Sequence, residues 1–161
     1  MDENIKFHLQ DYVNHKKHVL DSCYKLAMHL AENDDIETAI KLMKRASVHD
    51  VSKMNKAEFE NLLKVNSSRD TFTDPKAKLN DFSKKCIEEH YKNNSHHPEY
   101  WKNYLDMDEL SIMEMCCDWH ARSSQYGTDF LHFVKTRQEE RFKFEENFFN
   151  KVWNYCQILA A

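Results

Sequence analysis

The chain has 161 residues, 41% of them hydrophobic and 31% charged, with a formal net charge of −4, one Gly and two Pro. That length suits a single domain (1–161) with a sizeable core, and the scarcity of turn residues excludes an all-β fold, which needs them about every 8–12 positions. Mixed charge offers no footprint for nucleic acid or an anionic membrane, and there is no apolar run of about 18 residues for a transmembrane span. The polar start, with no secretory signal, and five cysteines without CxxC spacing read as a cytoplasmic protein with reduced thiols.

Helical periodicity runs through the chain and predicts an all-α bundle of about six or seven helices. The first helix covers 4–31, with the stripe Ile5, Tyr12, Val19, Cys23, Leu26 and Leu30. His8 falls within this stripe. His15 lies about 40° from Val19, and His18 about 100°, so His15 is the better candidate to point inward. A core-edge histidine bonded to a carbonyl is the alternative.

Asn33-Asp34-Asp35 caps the second helix, with Glu37 in its first turn. Ile36, Ile40 and Met43 read as its buried stripe, and Asp50 continues that stripe one turn after Ser47. A carboxylate there needs a metal ion or a Lys/Arg partner, unless the chain is already turning to solvent. The His49-Asp50 pair can offer an imidazole and a carboxylate to one ion.

A third helix, 56–65, turns Phe59, Leu62 and Leu63 inward, and 66–73 reads as a loop. Asp74-Pro75 starts a fourth helix ending near 93, with Leu79, Phe82, Cys86 and Ile87 on the core face and His90 continuing it. Asn93-Asn94-Ser95 breaks the helix. His96-His97 follows in a loop ahead of Tyr100-Trp101, where one of the two can point at a given site.

Asp106 reads as the cap of a fifth helix, 107–125, which is apolar on nearly every side and therefore buried. Glu114 and Asp118 lie one turn apart on it, with Ser111 and Arg122 on the same side. Two buried carboxylates need charge compensation, from Arg122 or from a metal. After Tyr126-Gly127, Thr128 caps a helical tail to about 159, broken near Thr136. Its face of Phe142, Phe144, Phe148, Phe149, Val152, Trp153 and Cys156 closes the core or makes a homodimer.

The inward-facing set is therefore His15, His49-Asp50, His90, one of His96 and His97, and Asp118. Histidines mixed with carboxylates suit a divalent transition ion, Mn, Fe, Co, Ni or Zn, one or two per chain. Here the sequence resembles the HD-domain superfamily of all-helical metalloproteins, most of them phosphohydrolases. His49-Asp50-Val51-Ser52-Lys53 is similar to its HD motif, with Lys three residues after the Asp. It resembles more closely a poorly characterised family of small HD-like proteins from phages and bacteria, with the patterns HDxSK, HxxxNxHHPEYW and EMxxDW. These correspond to His49 to Lys53, to His90, Asn94 and His96 to Trp101, and to Glu114-Met115 with Asp118-Trp119. The resemblance covers about 12–125, includes a first-helix HxxxV at His15, and leaves the tail of about 128–159 outside it. It departs from better-known dinuclear relatives in the close spacing of His90 and His97.

The resemblance implies a metal-dependent phosphohydrolase acting on a nucleotide or another small phosphorylated substrate. His15, His49, Asp50 and Asp118 would hold one ion, and His90 and His97 would serve a second, with Asp50 ligating or bridging. Lys53 and Arg122 would neutralise phosphate charge, and Glu114 would orient a ligand histidine or the water. An HD-fold diiron oxygenase, a non-catalytic nucleotide- or protein-binding module, and a helical domain whose metal only stabilises the fold are the competing expectations.

Overall fold

Two antiparallel helices carry the first half of the site. In the computed structural model, which describes residues 3–68 and 81–161, α1 (Glu3–Glu32) and α2 (Ile36–Val48) are joined by a turn in which Asp34 takes φ +65° and Asp35 caps α2 by accepting from the Thr38 amide at 3.1 Å. A 3-10 turn (Val51–Met54) leads into α3 (Lys56–Ser68), and α4 spans Asp81–Asn93. Two further 3-10 turns (Pro98–Tyr100 and Tyr104–Asp106) precede α5 (Glu109–Tyr126), followed by α6 (Phe130–Arg137), a π-turn (Gln138–Phe142) and α7 (Glu146–Ala160). The fold is an all-α single domain, with seven α-helices and no strand among the described residues. No helix is long and apolar enough to cross a membrane.

α5 is the central element, packed by α1, α2, α6 and α7. Every residue from Ser111 to Cys117 is buried, with Trp119, Ala121 and Ser123, as an all-round apolar helix requires. α7 closes the core with Phe148, Val152, Cys156 and Leu159, and Trp119, Phe142 and Phe144 form a stacked run beside it. All five cysteines are free and buried.

Several local expectations are corrected. On α2 the buried stripe is Ala39, Leu42 and Ala46, while Ile36 and Ile40 are exposed and Met43 half-buried. α2 carries two apolar stripes, and the one with small alanines lets it lie close against α1. On α4, Ser83, Cys86 and His90 face inward and Phe82 is exposed. Asp108, not Asp106, caps α5, accepting from the Ser111 amide at 2.7 Å, and Asp129, not Thr128, caps α6. Asp106 instead ends a 3-10 turn. The tail breaks at Arg137, where the Gln138 side chain donates to Phe144 O and accepts from Phe144 N, bridging the π-turn. α3 runs three residues beyond Val65, into the expected loop, while the expected helix start at Asp74-Pro75 and the core position Leu79 lie outside the described residues.

The caps make a direct comparison possible. Asp108→Ala should cost about 1 kcal/mol, by loss of the α5 cap, and Asp106→Ala less than about 0.5 kcal/mol. Urea unfolding of the two variants measures both, and equal losses would contradict the assignment.

Candidate metal centre

α2 ends at Val48 because the chain leaves helical geometry at His49 (φ −51°, ψ 130°) and turns left-handed at Asp50 (φ +55°). A left-handed non-glycine residue is uncommon, and Asp tolerates it better than most. The Ala39–Leu42–Ala46 stripe points one turn on to His49, while the reversal at Asp50 brings its carboxylate inward. Asp50 is thus buried by its backbone conformation and not by continuing a helical stripe.

Four other segments meet this corner. α1 supplies His15, α4 supplies His90, the following loop supplies His96 and His97, and α5 supplies Glu114 and Asp118. Their ligand-capable atoms form three overlapping groups: His15, His49 and Asp118; Asp50, His90, His96 and His97; and His49, His96 and Glu114. His15, His49, Asp50, His90, His96 and Glu114 are buried. Asp118 and His97 are only partly buried.

The two oxygens of Asp50 face different partners. Oδ2 lies 3.9 Å from His15 Nε2 and 3.5 Å from His49 Nε2, whereas Oδ1 lies 3.3 Å from His90 Nε2 and 3.5 Å from His96 Nε2. Asp118 Oδ1 is 2.9 Å from His15 Nε2 and 3.7 Å from His49 Nε2. The Nε2 atoms of His90 and His97 are 3.2 Å apart. Lys53 donates to Asp50 Oδ2 at 2.5 Å.

Carboxylates on the outer side fix the ring orientations. Glu114 Oε1 accepts from His49 Nδ1 at 2.9 Å and lies 3.6 Å from His96 Nδ1. Glu58 Oε1 accepts from His90 Nδ1 at 2.7 Å. With Nδ1–H donating outward, the Nε2 lone pair of each ring faces the cluster, as in carboxylate–histidine–metal triads. Glu114 is in turn held by Arg45, whose Nε reaches Oε2 at 2.6 Å, while its other nitrogens reach Ser111 Oγ at 3.2 Å and Ser95 Oγ at 2.6 Å. One guanidinium thereby ties α2 to α5 and to the residue preceding His96.

Charge balance follows from these contacts. Burial raises the cost of ionising Asp50 and Asp118. Even so, Lys53, His49 and His90 hold Asp50 well below the usual carboxylate range, and His15, His49 and His96 do the same for Asp118. Burial opposes protonating His49, but Asp50, Glu114 and Asp118 outweigh it and raise its pKa. Burial and the neighbouring charge of His49 push His96 down to about 4. Burial, then His96, lowers His97 well below the ordinary imidazole value.

Two observations test whether these residues fit a metal. Both nitrogens of His15, Nε2 of His49 and of His96, and Oδ1 of Asp50 are buried without a hydrogen bond of acceptable geometry; buried polar atoms are normally satisfied. Ligand atoms about 2.1 Å from one ion lie roughly 3.0–3.4 Å apart at octahedral or tetrahedral angles, close to the 2.9 to 3.9 Å separations here. The donor set fits one or two transition ions.

All the sequence-derived ligands, His15, His49, Asp50, His90, His97 and Asp118, converge on this corner, and Glu114 and Lys53 flank it. His18 is outside the metal-capable groups. His96 joins together with His97, although a loop was expected to direct only one of the pair inward; the rings pack against each other at 4.1 Å and share Asp50. Arg122 does not pair with Asp118. Its Nη1 lies 3.1 Å from Gln125 Oε1 and 3.7 Å from Asp11 Oδ2. Sequence reasoning missed Arg45 and Glu58, since nothing in the α2 or α3 pattern marks a single charged residue as an inward partner. Asn94, already in the sequence motif, donates to Ser52 Oγ at 3.0 Å and to His90 O at 2.8 Å.

A family model described as a family of unknown function (DUF5662) matches residues 4–157. No curated protein and no solved structure matches the chain.

Arg45→Met should weaken divalent metal binding by about 10- to 100-fold, the usual effect of losing an outer partner of a ligand histidine. In a double-mutant cycle with Glu114→Gln the losses should fall short of additive, because Arg45 acts through Glu114. Titration calorimetry with Mn²⁺ or Co²⁺ checks both expectations, and unchanged affinity in Arg45→Met would contradict the relay.

Proposed function

The chain belongs to the DUF5662 family, whose function is not known, and we propose from the site that it is a metal-dependent phosphohydrolase of the HD type. Its substrate is a nucleotide or another small phosphorylated molecule. The observation that carries this reading is the placement of Asp50, with one carboxylate oxygen toward His15 and His49 and the other toward His90 and His96. A buried carboxylate facing two groups of ligands suits a bridging role between two ions, with His15, His49 and Asp118 on one side and His90, His96 and His97 on the other.

A divalent ion held there supplies Lewis acidity to water and to a phosphoryl oxygen. The chain's own groups do the rest. Glu114 and Glu58 hold His49 and His90 in the tautomer that turns Nε2 toward the centre. Lys53, already against Asp50 Oδ2, places an ammonium where phosphate charge must be neutralised. Arg122, beside Asp11 and Gln125, is a second cation within reach of an incoming anion.

The test uses purified protein assayed with a panel of nucleotides and simple phosphomonoesters in the presence of Mn²⁺, Co²⁺, Ni²⁺ or Fe²⁺. Asp50→Asn should lose at least about 100-fold in kcat/KM. A His49→Ala/Asp50→Ala variant with full activity would overturn the assignment. The excess of histidine in the Asp50, His90, His96 and His97 group favours a second reading, an iron-dependent oxygenase. Iron retained on purification, with oxygen uptake in place of phosphate release, selects that reading.

A further inference from the structure

The face of the α1/α2 pair away from the metal centre is apolar and uncovered. A groove of about 520 Å³ runs between the two helices, lined by Tyr24, Met28 and Ala31 from α1 and by Ile36, Ile40 and Met43 from α2, among others. The large side chains along it are conspicuously exposed: Tyr24 58%, Met28 43%, Ile36 59% and Ile40 51%, with Val48 59% at one end. This is the second apolar stripe of α2, of which Met43 also packs against the core while Ile36 and Ile40 do not.

We propose that this face joins two copies of the chain in an antiparallel, two-fold homodimer. Area is the first argument. Those five side chains expose on the order of 550 Å² per chain, or about 1,100 Å² for a pair, which clears the roughly 1,000 Å² a biological interface needs before any flanking polar residue is counted.

Charge arrangement is the second argument, and it selects the partner. At the turn joining α1 and α2 the exposed charges are acidic, Glu32, Asp34, Asp35 and Glu37, the last paired with Lys41 one turn on. At the opposite end the exposed charges are Lys17 and Lys44, with Asp21 one turn from Lys17. Lys16 donates to His49 O at 2.8 Å, so the N-terminal half of α1 lies beside the end of α2. There, exposed Lys17, about 20° from Tyr24 around α1, and Lys44, which lines the groove, carry the positive charge. A two-fold axis through the groove centre sets the acidic end of each copy on the basic end of the other, the self-complementarity that an isologous interface requires. The assembly is a four-helix arrangement built from two α1/α2 pairs.

The proposal does not depend on the metal or the reaction. Ile40 is about 200° around α2 from Leu42, whose stripe leads to His49. Sedimentation equilibrium of the full chain should show a dimer with a dissociation constant tighter than about 10 µM. Ile40→Glu and, separately, Tyr24→Glu should be monomeric at the same concentrations, with unchanged helical circular dichroism and unchanged metal uptake. Two variants guard against misfolding of either. Lys17→Glu/Lys44→Glu should dimerise at least tenfold more weakly, and mixing it with Glu32→Lys/Glu37→Lys should restore a heterodimer. A monomeric wild type at about 100 µM overturns the proposal. So does a dimer that survives both groove substitutions, since that places the interface elsewhere. Failure of the mixed charge variants to associate overturns the antiparallel arrangement.

Discussion

The buried carboxylate of Asp50 is the constraint on which the rest of the site depends. Taking a charge of this kind out of water costs several kcal/mol after relaxation, and only close opposite charge and good hydrogen bonds offset that cost. Here Lys53 lies against one oxygen and imidazoles approach both. Asp118 and Glu114 add two more acidic groups within the same pocket. Lys53 and Arg45 offset Asp50 and Glu114, while Asp118 is paired with the imidazoles of His15 and His49, and one or two divalent cations would supply the positive charge still lacking.

The same constraint explains how five segments are tied together. α1, the end of α2, α4, the His96-His97 loop and α5 each deliver nitrogen or oxygen to one point, and His49 and His90 are held by carboxylates from other elements. Glu58 on α3 steadies His90 on α4, and Arg45 on α2 steadies Glu114 on α5 and reaches Ser95 beside His96. Such cross-support makes the orientation of the His49 and His90 rings depend on neighbouring helices. The metal-centre reading and the packing of the bundle therefore stand on the same contacts.

α2 shows how one helix can serve two purposes. Its alanine-lined stripe allows close approach to α1 and leads to His49, while its isoleucine stripe faces outward over the α1/α2 groove. Close helix contact favours the smaller residues, so bulk went outward. The dimer proposed for that face gives the exposed isoleucines a partner without drawing on the site.

The sequence by itself determined that the fold is all-α and that α5 is buried, and it pointed to His15, His49, His90, His97, Asp118 and Glu114 as one region, with Asp50 read inward from a stripe that is not the buried one. Helical periodicity and the chemical cost of burying histidines and carboxylates are local signals, legible without a partner. Tertiary structure decided what those signals omit. Which of two apolar stripes on α2 packs inward depends on how closely α1 can approach. Asp50 is buried by a left-handed backbone turn, to which helical phase is blind. His96 enters with His97 because the loop folds both rings over the same carboxylate. Arg45 and Glu58 matter, and Arg122 is diverted to Asp11 and Gln125, because charge pairing between distant helices is set by packing and not by spacing along any one of them.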